Sequence, residues 1–494
     1  MPETTITMKQ FTGLEQAWGE ASGQMGTAWD AANMDTRHGR LASSPGWSSA
    51  YPPLPVQAAV ITLARFYRRN EPDLPEVLIA ATADTLFAYT DTWTTLGTGY
   101  KSGNWDWVCY EDTVTVTPGD DGESEQQMVD IMLLTNPLDG MIAIYGHNLS
   151  VRPLETPDKF GFLARYKERI FGSGSLANPD SIYYSQPFNP TAWNTVEQEG
   201  VLLPELSGGR IDAPTWDGDR FIALAPYGTS LLAFKRETVF RLYGADPGEF
   251  YLRDQYGADG PIAEDTVAVD ADAVYLVSGA GLSLYDGAAV RPLRRDSLQC
   301  FWAKIDPERL SLSQGALCGH RYYLSLPVAG GGWKLMELDL TRGSFMAYEG
   351  PQPTALLALG GRLLYADAQH PGQLYMLNLE NFAASEAFES RWITPWNDGG
   401  APHLSKSHFR LSGTVSLQST GGHAQLRVTL ETDRGSKTRV IDWPSGETMQ
   451  PFTVRLPCYG RRFRLKILGP AGHRFILHGP LELTYYTHGE GGLI

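Results

Sequence analysis

At 494 residues the chain is several times the length of a typical single domain, long enough for a large core and for two domains. Its 52 Gly, 32 Pro, 23 Tyr, 19 Phe and 13 Trp describe many short strands and many turns, an all-β profile rather than a helical one. The formal net charge of −16 is unevenly placed: residues from Arg391 onward hold 13 basic and 7 acidic side chains, net +6, and the first 390 hold 27 and 49, net −22. Phosphate contacts need Lys and Arg, so the long acidic part is not expected to bind nucleic acid in a sequence-specific way, although an acidic wall would keep DNA from adhering during passage. No apolar run approaches a bilayer span, and Met1-Pro2-Glu3-Thr4-Thr5 lacks the basic and apolar regions of a secretory signal. Cys109, Cys300, Cys318 and Cys458 are scattered without metal-ligand spacing and read as free thiols in a reducing cytosol.

Residues 1–54 read as an extended arm. Gly and Pro punctuate it, and Trp18, Trp29 and Trp47 would be costly to leave in water, so it is expected to lie along another surface. From Val56 the strands come in groups. Ala58–Tyr67, Val77–Tyr89 and Thr92–Leu96 form the first. Trp105–Val116, Met128–Leu134, Met141–Tyr145 and Leu149–Pro153 form the second, around an acidic loop at Asp120–Glu125. In the third, Arg165–Gly174 and Ser181–Phe188 flank a turn at Leu176-Ala177-Asn178-Pro179-Asp180, and a second Asn-Pro turn with Trp193 closes it. Arg220–Leu224, Ser230–Lys235 and Thr238–Tyr243 make a fourth group. The fifth is the clearest, with Ala273–Ser278, a Gly279-Ala280-Gly281 turn, Leu282–Gly287 and Val290–Leu293. Arg321–Leu326, Leu335–Leu340 and Ser344–Tyr348 make a sixth, and Arg362–Ala366 with Gln373–Asn378 a seventh.

Seven loosely similar units at a spacing of about 40–50 residues fit a β-propeller, in which small sheets bury their faces against one another around an axis; the uneven spacing leaves six or eight blades open. The propeller is expected over 55–385. After a small-residue linker near Asn381–Ser390 the rhythm changes to longer alternating strands, and 386–494 reads as a C-terminal β-sandwich or jelly roll. Its strands are expected near Phe409–Gln418, Ala424–Leu430, Lys437–Trp443, Phe452–Leu456, Arg461–Ile467, Arg474–His478 and Leu481–Thr487. In Arg461–Ile467 the side chains of Phe463, Leu465 and Ile467 face one way and those of Arg462, Arg464 and Lys466 the other. That basic face, extended by Arg427 and Arg439, is the candidate interaction site, with the acidic propeller of a neighbouring copy or another acidic partner as its counterpart.

Three phrases together carry a resemblance. Asp30-Ala31-Ala32-Asn33-Met34-Asp35 with Gly39-Arg40-Leu41 and Pro45-Gly46-Trp47 is the first. Arg169-Ile170-Phe171 followed by Asn178-Pro179-Asp180, Tyr183-Tyr184 and Asn189-Pro190 with Trp193 is the second. Trp392-Ile393-Thr394-Pro395-Trp396 followed by Gly460-Arg461-Arg462-Phe463-Arg464-Leu465-Lys466-Ile467 is the third. In these the chain resembles the tail nozzle and packaged-DNA-stabilisation proteins of tailed bacteriophages. The resemblance implies a structural virion protein, made in the bacterial cytoplasm and assembled as a ring, a hexamer beside neck or adaptor proteins, that closes and then conducts the DNA channel.

Signs of catalysis are few. G-x-x-x-x-G-K, G-x-S-x-G, H-E-x-x-H and C-x-x-C are all missing from the sequence, so no catalytic residue, cofactor or metal site is expected. His320, Asp217-Gly218-Asp219 and Asp270-Ala271-Asp272 read as turn and cap residues. Asp254, Asp259, Glu264 and Asp265 crowd one long loop. Paired carboxylates on propeller loops can cleave glycosidic bonds, which keeps a carbohydrate-binding or glycan-cleaving propeller as the alternative. A scaffold propeller of WD-repeat type is disfavoured because no G-H…W-D phrase recurs.

Overall fold

The computed structural model describes residues 2–17, 24–70, 73–116, 125–216, 218–256, 259–293, 296–378, 387–419 and 422–489. The acidic loop at Asp120–Ser124, Trp18, Asp217 and most of the linker at 381–390 therefore lie outside the described residues.

Among the described residues, seven four-stranded antiparallel sheets follow one another along the chain. Blade one is Thr62–Phe66, Val77–Ala81, Thr85–Tyr89 and Trp93–Thr98. Blade two is Asp106–Val116, Glu125–Asn136, Gly140–Tyr145 and Val151–Pro153. Blade three is Phe162–Tyr166, Arg169–Ser173, Ser181–Tyr184 and Gly209–Asp212. Blade four is Ala223–Tyr227, Ser230–Phe234, Thr238–Tyr243 and Tyr251–Tyr256. Blade five is Ala268–Val269, Val274–Ser278, Gly281–Tyr285 and Val290–Pro292. Blade six is Gln314–Cys318, Arg321–Pro327, Trp333–Asp339 and Ser344–Tyr348. Blade seven is Pro353–Leu359, Arg362–Asp367 and Leu374–Leu377, and its outer strand is Trp47–Ser49 from the arm, paired Leu377↔Trp47 and Tyr375↔Ser49. Pro353–Leu359 packs on Thr62–Phe66 of blade one, which closes the ring. The fold is thus a seven-bladed propeller in which the arm supplies the last strand. That strand is held by Trp47, buried and stacked on Phe388 at 4.9 Å.

The arm then threads the second domain. Residues Asp30–Ala32 add to a five-stranded sheet ordered Asp30–Ala32, Ser390–Ile393, Phe463–Gly469, His423–Thr432, Gly435–Pro444. Glu3–Met8, Met34–Asp35 and Ala42–Ser43 add to a six-stranded sheet with His473–His488, Ser405–Ser419 and Gly446–Gly460. Alternation places Ala424, Leu426, Val428 and Leu430 of one strand, and Phe463, Leu465 and Ile467 of the next, in the layer between the sheets. This core runs on without a break into the propeller: Phe11 meets Trp392 edge to face at 5.6 Å, and both belong to the cluster that holds Phe345, Tyr322 and Leu324 of blade six.

Three strand assignments change. Arg165–Gly174 is a hairpin, not one strand: the chain reverses at Lys167 and Glu168, both left-handed (φ 48° and 55°), the pair of angles that a tight hairpin turn requires. Val77–Tyr89 likewise divides into two strands. Conversely, Arg474–His478 and Leu481–Thr487 are one long strand, His473–His488, running through Gly479 at φ 78°.

Candidate functional site

The outward face of the five-stranded sheet follows from register, because residues opposite each other across an antiparallel pair share a face. Arg427 lies opposite Leu468 and Val440, Thr429 opposite Lys466, and Glu431 opposite Arg464. Lys466 and Arg464 therefore share this face with Arg427, and Glu431 sits between them. Its Oε2 accepts from Arg464 Nε at 2.8 Å and from Lys466 Nζ at 2.7 Å, and the Arg464 guanidinium lies 4.6 Å over the Trp396 ring. Burial raises the Glu431 pKa, but the two cations outweigh it and hold the carboxyl below its ordinary range. Two of the expected cations thus share one carboxylate, and the three groups together keep a single net positive charge. Arg427 and Arg462 are exposed and without an ion pair among the described residues; Arg462 lies in the turn just before its strand. Arg439 is not on this face. It lies opposite Val428, a core residue, so its side chain leaves the inner side of the edge strand, where an inward charge discourages edge pairing.

A second constellation gathers where all seven blades converge. Residues from all seven blades or the segments leading into them, among them Thr62, Phe162, Phe221, Ala263, Gln314 and Leu356, line two adjoining cavities of about 300 and 210 Å³ that share Asp106 and Asp265. Asp106 opens the inner strand of blade two and accepts from the backbone N–H of Leu163 in blade three. Glu264 and Asp265 stand on a single 3₁₀ turn, Glu264–Thr266. Gln314 ties the axis together: its Nε2 donates to Ile61 O, its Oε1 accepts from Leu356 N, and Asp265 lies at 3.5 Å. Burial pushes the Asp106 carboxyl up to about 7, against the pull of its backbone donors, and that of Asp265 up to about 6, against its Gln314 bond. Glu264 is raised well above its ordinary value by burial and then by the two neighbouring carboxyls. Of the four acidic residues grouped from the sequence, only Glu264 and Asp265 come together. Asp254 sits in the outermost strand of blade four, and Asp259 is exposed. Asp106 is absent from that grouping, and its one sequence signal is a carboxylate set between two tryptophans, Trp105 and Trp107, at the start of a strand. Among the described residues no group of three His, Cys, Asp or Glu is arranged to hold a metal ion.

The Asn-Pro-Asp phrase of blade three is a clamp between blades. Asn178 donates to Asp158 Oδ2 at 2.7 Å in the connection from blade two. Pro179 O accepts from Phe221 N, and Asp180 O from Ala213 N, both on the way to blade four. The Asp180 carboxylate accepts from Lys235, whose ammonium is fully buried between the Phe221 and Phe240 rings. Arg169 acts likewise on the insertion at 185–208: buried, it donates to the carbonyls of Ser185 (2.7 Å), Ser207 (2.6 Å) and Glu205 (2.5 Å).

These features define a propeller closed by its own arm and joined to a sandwich through one continuous core. No family model matches the chain, and no curated protein does. Among solved structures the chain is similar to U3-55K (10% identity, TM-score 0.38, covering 68% of this chain and 98% of that one). It is similar to BBS1N in a complex with ARL6DN (11%, 0.40, 68% and 99%) and to BamB from Moraxella catarrhalis (12%, 0.36, 68% and 98%). Likeness at this level says nothing about activity.

Proposed function

We propose that this chain is a structural subunit of a tailed-phage tail nozzle or neck, one copy in a closed ring that retains and then conducts DNA, with no catalytic role. The observation that carries the reading is where the resembling phrases fall: they occupy the joints of the molecule. In the first, Asp30 accepts from Arg391, Asn33 bonds Glu349 and Glu389, and Asp35 holds Arg37. The second makes the Asn178–Asp180 clamp and the Arg169 cage. The third contains Trp392 at the centre of the shared core and the Arg464–Trp396 pair. Side chains that fix how two domains and a threading arm meet suit a part whose task is to hold shape.

The propeller's own axis also bears on this. Asp106, Asp265 and Gln314 line it, and the cavities beside them, about 300 and 210 Å³, are of a size for a small molecule. A DNA conduit must then run between copies, which requires a ring. In this reading the ring sits in the virion against neck and adaptor proteins, and the acidic propellers keep duplex DNA from adhering.

Negative-stain images of the purified full chain test the reading: rings with a central hole are expected, and dispersed particles without a hole would contradict it. The axial carboxyls favour one alternative, a glycan-cleaving propeller. Release of reducing sugar from host surface glycans, abolished by Asp106→Asn or Asp265→Asn, would establish it instead.

A further inference from the structure

We infer that the insertion of blade three is an intersubunit contact, and that its docking site is the free edge of the five-stranded sheet in a second copy of this chain. This rests on the ring reading and names the surfaces that would close it.

The insertion carries a two-stranded hairpin, Glu197–Gln198 with Val201–Leu202, followed by a 3₁₀ turn, Pro204–Leu206. Every residue from Glu197 to Leu202 is exposed. Val201, Leu202 and Leu206 are 63%, 49% and 45% exposed, a concentration of large aliphatic groups that solubility does not call for. The hairpin is nevertheless held firmly. Leu203 N bonds Val196 O, Gly208 N bonds Asn194 O, Ser207 Oγ accepts from Val196 N and donates to Leu203 O, and the buried Arg169 fixes Glu205 and Ser207 from behind. A rigid support that presents apolar side chains to solvent loses little freedom on binding. The charge is one-sided as well, with Glu197, Glu199 and Glu205 and no Lys or Arg from 194 to 209.

The complementary features lie on the sandwich. Gly435–Pro444 ends the five-stranded sheet, and no strand among the described residues pairs with its outer side. At that edge Val440, 50% exposed, lies opposite the exposed Arg427 on the outward face, with Asp442 two residues further along, while Lys437 and Arg439 leave the same strand on its inner side, opposite Leu430 and Val428, and add their charge along the rim. An acidic hairpin with aliphatic residues thus has a basic edge with an aliphatic residue as its match, in opposite domains. A contact between two different surfaces of identical chains is heterologous, the kind that closes rings when its rotation closes.

Photo-crosslinking on the full chain tests this. Benzoyl-phenylalanine placed at 202 in an isotopically heavy copy, mixed with light chains, should crosslink heavy to light within 435–444. Crosslinks confined to one copy, or to another part of the second copy, would overturn the inference. Independently, Glu197→Lys with Glu199→Lys changes only exposed side chains. It should weaken association about tenfold at low salt, as expected from losing two exposed ion pairs, and Arg427→Glu should restore it. Oligomers that form with wild-type strength in the double variant overturn this inference and leave the ring reading standing. A wild-type chain that stays monomeric overturns both.

Discussion

The buried ammonium of Lys235 in blade four donates to the carboxylate of Asp180 in the Asn-Pro-Asp turn of blade three, so one ion pair staples two neighbouring sheets. Two further acceptors, Ala213 O at 2.8 Å and Thr215 Oγ1 at 3.2 Å, complete the shell of the ammonium. Removing only the carboxylate leaves a charge without its counter-ion in a dry site. Asp180→Ala should therefore cost roughly 3 kcal/mol in urea unfolding, at the low end for a broken buried pair because Asp180 keeps some solvent contact. Lys235→Met, which leaves an apolar chain between Phe221 and Phe240, should cost clearly less. Equal losses would show that the ammonium left without its counter-ion carries no extra cost, and would contradict this account.

Asn33 stands in the left-handed region (φ 54°), and its side chain makes three bonds. Nδ2 donates to Glu349 O and Glu389 O, and Oδ1 accepts from Glu349 N, all at 2.9 Å. Asn33→Ala removes these bonds and places Ala where Asn is tolerated. At about 1 kcal/mol per buried bond plus the left-handed cost, the variant should lose roughly 3–4 kcal/mol. The loss should appear as a lowered Tm with an unchanged β-type circular dichroism spectrum at 20 °C.

Arg169→Met should loosen the insertion without unfolding the blade. Three charge-assisted bonds to carbonyls disappear while the aliphatic stem stays. Cleavage after Glu197, Glu199 and Glu205 by a glutamate-specific protease should quicken at least tenfold, with blade-core peptides still protected.

The axial carboxyls set a pH dependence whose sign follows from their shifts. Asp106 at about 7 and Asp265 at about 6 lie above their unfolded values, with Glu264 raised as well. Their contribution is fully present below the ordinary carboxyl range near pH 4 and is lost as pH rises through about 6 to 7. Between pH 5 and pH 8 this part of the stability should therefore fall. Asp106→Asn with Asp265→Asn should flatten the Tm against pH in that window, and an unchanged profile would contradict the assignment.

Much of the architecture was legible because its strands alternate cleanly. Blade five was readable almost residue by residue, since Gly279-Ala280-Gly281 marks its turn and Val274–Ser278 is β-rich. Inner strands such as Gln314–Cys318 were not, because positions crowded round the axis take small residues (Gly315, Ala316) with weak strand preference. The hairpin at Lys167-Glu168 was hidden because its turn uses neither Asn nor Gly. The arm could be read as extended but not as woven, since pairing with strands more than 300 residues away leaves no local trace. At the basic face, alternation placed Arg464 and Lys466 side by side. Their common counter-ion Glu431 and the inward turn of Arg439 depend on register between strands, which one strand's pattern does not contain.

The most direct measurement is the mass of the purified full chain by sedimentation velocity over a range of concentration and salt. The account predicts one discrete closed species near six chain masses, weakened as salt rises because opposite charges on the two domains help to close it. A chain that remains monomeric at every concentration, or that adds copies without limit, would contradict it.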